Sequence, residues 1–159
     1  MRVEESRAAR RSDSASRGAH STNVRPGSAG SVAHAHALLV VDDNRSIREP
    51  LIALPEDEGF RARGVGNGRE ALQTLRDGYP ACLILLDLTM PIMDGWSFRA
   101  AQRQDERLAS IPIVVLTALL DPQAEARKLG AVAGFQKPID PAGLLRVIAT
   151  HCPRVARRR

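Results

Sequence analysis

Five short apolar runs, separated by amphipathic stretches, constrain the fold of this chain more than any other feature. Ala37-Leu-Leu-Val-Val41 comes first, then a weaker run over 60–65, then Ala81-Cys-Leu-Ile-Leu-Leu86, Ile113-Val-Val-Leu-Thr117 and 132–136. Most are apolar throughout rather than alternating, which is the pattern of strands buried on both faces. Between them the spacing predicts helices over about 46–58, from an Asn67 cap to Arg76, over about 95–108, from Asp121-Pro122 to Gly130, and onward from Asp140-Pro141 with a Leu144, Leu145, Ile148 stripe. Asp as cap with Pro at the first helical position is a strong start signal, because the cap satisfies a free amide and Pro lacks one. Strand and helix alternate five times, so the chain is α/β, with a parallel sheet covered by helices on both sides. One local conflict stands out. Pro55, deep in the first helix, removes the bond to the Leu51 carbonyl and is expected to kink or end that helix, at roughly 3 kcal/mol if the helix is regular.

The 159 residues amount to one domain. The net charge of +5 suggests an anionic partner, but its position argues otherwise. Residues 1–36 carry net +3 and 154–159 net +4, which leaves 37–153 at −2. Residues 1–36 contain no Leu, Ile, Phe, Trp, Tyr or Cys and cannot bury enough apolar surface to offset the entropy of ordering. The expected organisation is a disordered basic tail over 1–36, an ordered domain over 37–153 and a basic tail over 154–159. His34 and His36 have no third ligand nearby and read as solvated tail residues. Cys82 and Cys152 cannot make a disulfide scaffold and lack zinc-site spacing. The longest apolar run, Ile111 to Leu120, is too short to span a bilayer, so no membrane insertion is expected. No secretory signal pattern opens the chain, and a cytoplasmic location is the default expectation.

Ligands of an open parallel sheet bind beyond the carboxyl ends of its strands. This chain places Asp42 and Asp43 after the first strand, Asp87 after the third, Thr117 at the end of the fourth and Lys137 after the fifth. Two carboxylates about 4 Å apart repel by about 4 kcal/mol at an effective dielectric near 20. One lysine cannot neutralise three of them, whereas a hard divalent cation such as Mg²⁺ can. An Asp facing such an ion is a plausible phosphoryl acceptor, since phosphoryl transfer mainly needs positioning and charge neutralisation. Thr117 supplies a hydroxyl, and the small Ala118 leaves room beside it. Taken singly, Asp42-Asp43 is a helix cap, Asp87 a turn former, and Lys137 a solvated lysine. Their conjunction on one rim is what points to chemistry.

Leu38-Leu-Val-Val-Asp-Asp-Asn44, Leu85-Leu-Asp-Leu-Thr-Met-Pro-Ile-Met-Asp-Gly95, Val114-Val-Leu-Thr-Ala118 and Lys137-Pro138 closely resemble the receiver domain of bacterial two-component response regulators, over about 37–152. The resemblance implies a flavodoxin-like (βα)5 three-layer sandwich with a five-stranded parallel sheet in the order 2-1-3-4-5. It implies that Asp87 accepts a phosphoryl group from a histidine kinase or phosphotransfer protein. It also implies that Asp43, Asp87 and the Thr89 backbone carbonyl bind Mg²⁺, and that Asp42 assists through water. Lys137 would pair with the phosphoryl group, Thr117 would move to hydrogen-bond it, and Lys137-Pro138 would be cis. The chain departs from the family at three points. The family's switch aromatic lies three residues before the lysine, where this chain has Gly134, and Phe135 is expected in the core. The interval from Thr117 to Lys137 is short, which predicts an abbreviated fourth helix. Pro50 and Pro55 alter the first helix, which docks the kinase in the family.

The reading is therefore a stand-alone, chemotaxis-type regulator that switches contacts with a downstream protein and catalyses only its own phosphorylation and dephosphorylation. The alternatives are a non-phosphorylated pseudo-receiver and a nucleic-acid or anionic-surface binder acting through the Arg-rich ends. Aromatics at 3% argue against a base-stacking surface. A haloacid-dehalogenase-like hydrolase would need a second Asp at the position of Thr89. A flavin site would need a phosphate cradle where the first strand instead ends in two acids.

Overall fold

The structure is a computed structural model and describes residues 36–153; the expected basic tails lie outside the described residues, apart from His36. Ten elements alternate: β1 (Ala37–Val41), α1 (Arg45–Asp57), β2 (Arg61–Val65), α2 (Gly68–Arg76), β3 (Ala81–Asp87), α3 (Gly95–Gln104), β4 (Ile113–Thr117), α4 (Pro122–Leu129), β5 (Ala133–Gln136) and α5 (Pro141–His151). The sheet is parallel throughout, in the order β2-β1-β3-β4-β5. This is the flavodoxin-like three-layer sandwich expected.

Alternate residues of the central strands feed two cores. Leu39, Val41, Ile84, Leu86, Ile113 and Val115 meet Leu72 and Leu75 of α2, Phe98 of α3 and Leu129 of α4. Leu38, Val40, Leu83, Leu85, Val114 and Leu116 meet Leu51 of α1 and Leu144 and Ile148 of α5. The edge strand β2 carries Arg61 and exposes alternate residues, a charge pattern that discourages further strand pairing. His36 packs edge-on against Phe60 and its carbonyl accepts the Arg61 amide at 2.8 Å. It is therefore part of the domain rather than a solvated tail residue.

All five helices begin with an Asn or Asp whose side chain accepts an amide of the first turn: Asn44, Asn67, Asp94, Asp121 and Asp140. Each cap follows a strand end, so five helix N-termini, the positive ends of their dipoles, surround one rim of the sheet.

α1 meets its expected span within one residue at each end, whereas α3 departs from its own. α1 runs two residues past Pro55 to Asp57. Pro55 sits in the last turn, where the lost bond interrupts little, and its carbonyl accepts the Glu58 and Phe60 amides at 3.1 and 3.0 Å. α3 stops at Gln104 rather than near Leu108. Asp105 turns extended there, and the fully buried Gln102 side chain donates to the Leu108 and Ile111 carbonyls, both at 3.0 Å. α4 is the shortest helix among the described residues, with eight residues, in line with the short interval in sequence.

Cys82 and Cys152, which read as neither scaffold nor metal site, are joined as a disulfide with Cα atoms 5.7 Å apart.

Candidate functional site at the carboxyl rim of the sheet

Because β1 and β3 are neighbours in parallel register, Asp42 and Asp43 come up beside Asp87. The three residues each offer a carboxylate oxygen within 4.8 Å of the others. Asp42 is fully buried, Asp87 is 5% exposed, and Asp43 faces solvent. Lys137, one strand beyond Thr117, reaches back over the sheet: Nζ lies 2.7 Å from Asp42 Oδ2 and 3.3 Å from Asp87 Oδ1. Its amide donates to the Thr117 carbonyl at 2.8 Å, which ties the end of β5 to the end of β4. The Lys137–Pro138 peptide is cis, as the resemblance implies.

Asp42 is held on several sides. Its amide donates to the Val65 carbonyl at 3.1 Å. Its Oδ1 accepts the Asn44 amide at 2.8 Å, and its carbonyl accepts Arg48 Nη1 at 2.5 Å. Thr117 is buried and its Oγ1 accepts the Leu119 amide at 3.1 Å, while Ala118 beside it is exposed. Thr89 lies in the exposed loop after β3, and its amide donates to Asp87 Oδ1 at 3.4 Å. Burial pushes the Asp87 carboxyl above the usual carboxylate range. Lys137 opposes that shift, the negative charge of Asp42 adds to it, and the Thr89 amide gives a further opposing pull.

Lys137 on the carboxylates and Arg48 on the Asp42 carbonyl still leave the rim, with its three acids, an excess of negative charge. Three oxygen donors this close fit a hard divalent cation that keeps several waters. Among the described residues neither His nor Cys joins the donor set, so it suits hard rather than soft metals.

Several residues shape the site in ways that the sequence alone did not show. Gly95 is one: a Cβ there would lie 2.5 Å from the Asp87 carbonyl oxygen, so only glycine lets α3 start against the end of β3. Its place directly after Asp94 was the available signal. Ile92 has φ 71°, and the Met93 amide donates to the Pro91 carbonyl across it at 2.8 Å. That is a γ-turn, strained for a β-branched residue, in the loop directly after Asp87. Arg48 is the third, and nothing local in α1 marks it.

The position three before the lysine is closed to any side chain. A Cβ on Gly134 would lie 2.2 Å from the Pro122 carbonyl oxygen, so α4 packs where the family's switch aromatic would stand. Phe135 is half-buried against the α1/α5 core. An apolar cleft of about 600 Å³ opens beside Lys137, between α1 and α5, lined by Ile47, Pro50, Leu51, Leu54 and Leu144. On the other flank Trp96 of α3 donates to Glu125 of α4 at 3.0 Å. Ile92, Leu119 and Leu120 stand exposed in the rim loops.

Comparison with known proteins agrees with this geometry. The family model described as the response regulator receiver domain matches residues 38–149. Response regulator Rre1 of Synechocystis is 36% identical over 115 residues, covering 70% of this chain and 49% of Rre1. The chain thus spans about half the length of that relative. Among solved structures, the Vibrio cholerae chemotaxis protein CheY4 superposes with a TM-score of 0.66 at 30% identity, over 72% of this chain and 97% of that one. The receiver domain of the Pseudomonas aeruginosa sensor histidine kinase PA1611, whose active-site cleft holds a coordinated magnesium ion, gives 0.65 at 26% identity, over 73% and 96%. With its five-stranded fold, its rim of acids and its lysine, the chain belongs to the response regulator receiver domain family.

Proposed function

We propose that this protein is a phosphorylatable receiver in a histidine kinase phosphorelay, with Asp87 as the phosphoryl acceptor. The convergence of Asp42, Asp43 and Asp87 within 4.8 Å under the Lys137 ammonium is the observation that carries this reading. Asp42, Asp43, Asp87 and the Thr89 carbonyl would hold Mg²⁺, with Asp42 acting through water. When bound, the ion supplies charge neutralisation for the carboxylates and the incoming phosphoryl oxygens.

The remaining work falls to the chain's own residues. Asp87 presents a carboxylate oxygen to the phosphorus of a phosphohistidine. The P–N bond breaks as the P–O bond forms, and the leaving imidazole nitrogen takes a proton from solvent. Lys137 Nζ, already 3.3 Å from Asp87 Oδ1, pairs with the added negative charge. Thr117 gives up its turn contact and donates its hydroxyl to a phosphoryl oxygen. The apolar cleft along α1 offers the surface on which a phosphodonor domain seats beside Lys137. Output is a protein contact in the cytoplasm, supported by the exposed apolar side chains in the rim loops. Its only chemistry is its own phosphorylation and dephosphorylation.

The test is intact-mass measurement after incubation with acetyl phosphate and Mg²⁺, with the fluorescence of the single Trp96 as a second readout. Wild type gains one phosphoryl mass and its emission changes; Asp87→Asn does neither. A wild-type chain that takes no phosphoryl group even from a cognate kinase is a pseudo-receiver that mediates contacts without phosphorylation.

A further inference from the structure

The two cysteines lie outside the rim and play no part in its chemistry. Strict strand alternation would place Cys82 on the face of Ile84 and Leu86, toward α2 and α3 and away from α5. The pairing of β1 with β3 prevents this. Ala37 stands opposite Ala81 but Leu38 stands opposite Leu83, which leaves Cys82 as the extra residue of a β-bulge. Ala81 packs with the α2/α3 core, whereas Cys82 packs with its neighbour Leu83 on the α1/α5 side. Bulges re-aim side chains in this way.

α5 meets the bulge with the end of its buried stripe. Leu144, Ile148 and Cys152 are spaced four apart and all are buried. The Cα separation of 5.7 Å falls where unforced disulfides cluster. Cys82 is half-buried and Cys152 only 1% exposed, so Cys82 is the more open of the two and Cys152 is placed to resolve. The dithiol form is also provided for, since the Ala37 carbonyl oxygen lies 3.1 Å from Cys82 Sγ and can accept a hydrogen bond from the thiol.

We propose that Cys82 and Cys152 form a reversible redox site that clasps the end of α5 to the sheet, separately from the carboxylate rim. The oxidant is a disulfide, either small or on a protein. The Cys82 thiolate attacks one sulfur of it, forming a mixed disulfide and releasing one thiolate. The Cys152 thiolate then attacks Cys82 Sγ, closing the intramolecular bond and releasing the second. The two protons of the cysteine pair pass to solvent or to the released thiolates, two electrons leave the pair, and the oxidant becomes two thiols. A dithiol reductant reverses both steps. In a reducing compartment such a pair rests as thiols and closes under oxidative load. Four strand residues, five rises of about 3.3 Å or ~16 Å in all, separate Cys82 from Asp87, so the clasp acts on α5 without touching the phosphoryl acceptor.

The experiment equilibrates the full chain in glutathione buffers of graded ratio, quenches with acid, alkylates, and reads intact mass, linked peptides and melting temperature. Both thiols are expected to disappear together, with a single Cys82–Cys152 peptide. Reduction should lower the melting temperature by roughly 8–15 °C, because the bond closes a loop of 70 residues. Cys82→Ala and Cys152→Ala should lose this dependence on reductant. Two alkylated cysteines at the most oxidising ratio, a glutathione adduct as the end product, a dimer linked between chains, or a closed bond with no change in melting would each overturn the proposal. These readouts need neither Mg²⁺ nor a phosphoryl donor, so they stand apart from the test of Asp87. The wild-type comparison needs no variant that must fold.

Discussion

Lys137→Met is the most informative single perturbation of the rim, because it deletes one charge while nearly preserving volume. Lys137 Nζ pairs at 2.7 Å with an Asp42 carboxylate that has no exposure, and its own side chain is 15% exposed. Breaking one side of a buried pair leaves an uncompensated charge and typically costs about 3–5 kcal/mol. Asp42 and Asp87, with carboxylate oxygens within 4.8 Å, would then repel by about 3.5 kcal/mol at an effective dielectric near 20, with no ammonium between them. Two features reduce the net loss. Asp42 keeps the Asn44 amide at 2.8 Å, and the rim opens to solvent at Asp43. The expected loss without metal is therefore about 3 kcal/mol. Mg²⁺ should return part of it, about 1.4 kcal/mol if loss of the ammonium tightens Mg²⁺ binding tenfold and the ion stands well above both dissociation constants, because the cation then answers the charge that Lys137 no longer does. Adding Asp42→Asn should also recover much of the loss, since the stranded carboxylate is gone. The assay is urea denaturation at pH 7 with a fixed thiol reductant, in EDTA and in Mg²⁺. A loss below about 1 kcal/mol in EDTA, an equal loss in both conditions, or a further loss on adding Asp42→Asn would refute the argument that Lys137 acts here as a counter-charge.

Two further outcomes follow from the same geometry. Burial raises the Asp87 carboxyl, so the folded state holds that proton more tightly than the unfolded chain does. Its contribution to stability is full below the ordinary carboxylate pKa and is lost as pH rises through the raised folded value. Asp87→Asn should therefore gain on wild type across that window in EDTA and hold its advantage above it; a stability difference that does not change with pH contradicts the assignment. Gly134→Ala should destabilise the chain by about 2–3 kcal/mol, read as a lower urea midpoint. Its Cβ would meet the Pro122 carbonyl oxygen at 2.2 Å, a backbone atom that no rotamer change can move aside; a neutral outcome would mean that α4 shifts freely.

Much of this protein was determined by its sequence alone, wherever the signal was local and repeated. Uniformly apolar runs mark strands buried on both faces, and Asn67, Asp121 and Asp140 mark three of the helix starts as caps, whereas the caps of α1 and α3, Asn44 and Asp94, emerged only from the structure. The acids and the lysine were legible because each directly follows an apolar run, which in a parallel sheet means the same rim. Tertiary structure decided what depends on contacts between distant segments. It ended α3 at Gln104, because the side chain of Gln102 could reach the Leu108 and Ile111 carbonyls. It seated Lys137 on Asp42 as well as Asp87, a choice set by strand order rather than by any motif. It placed α4 against Gly134 and so closed the aromatic's position. The cysteines show the division most clearly. A pattern of period two turns Cys82 away from α5, and only the one-residue slip between β1 and β3 turns it back, because a strand's facing depends on its register with a partner 44 residues away.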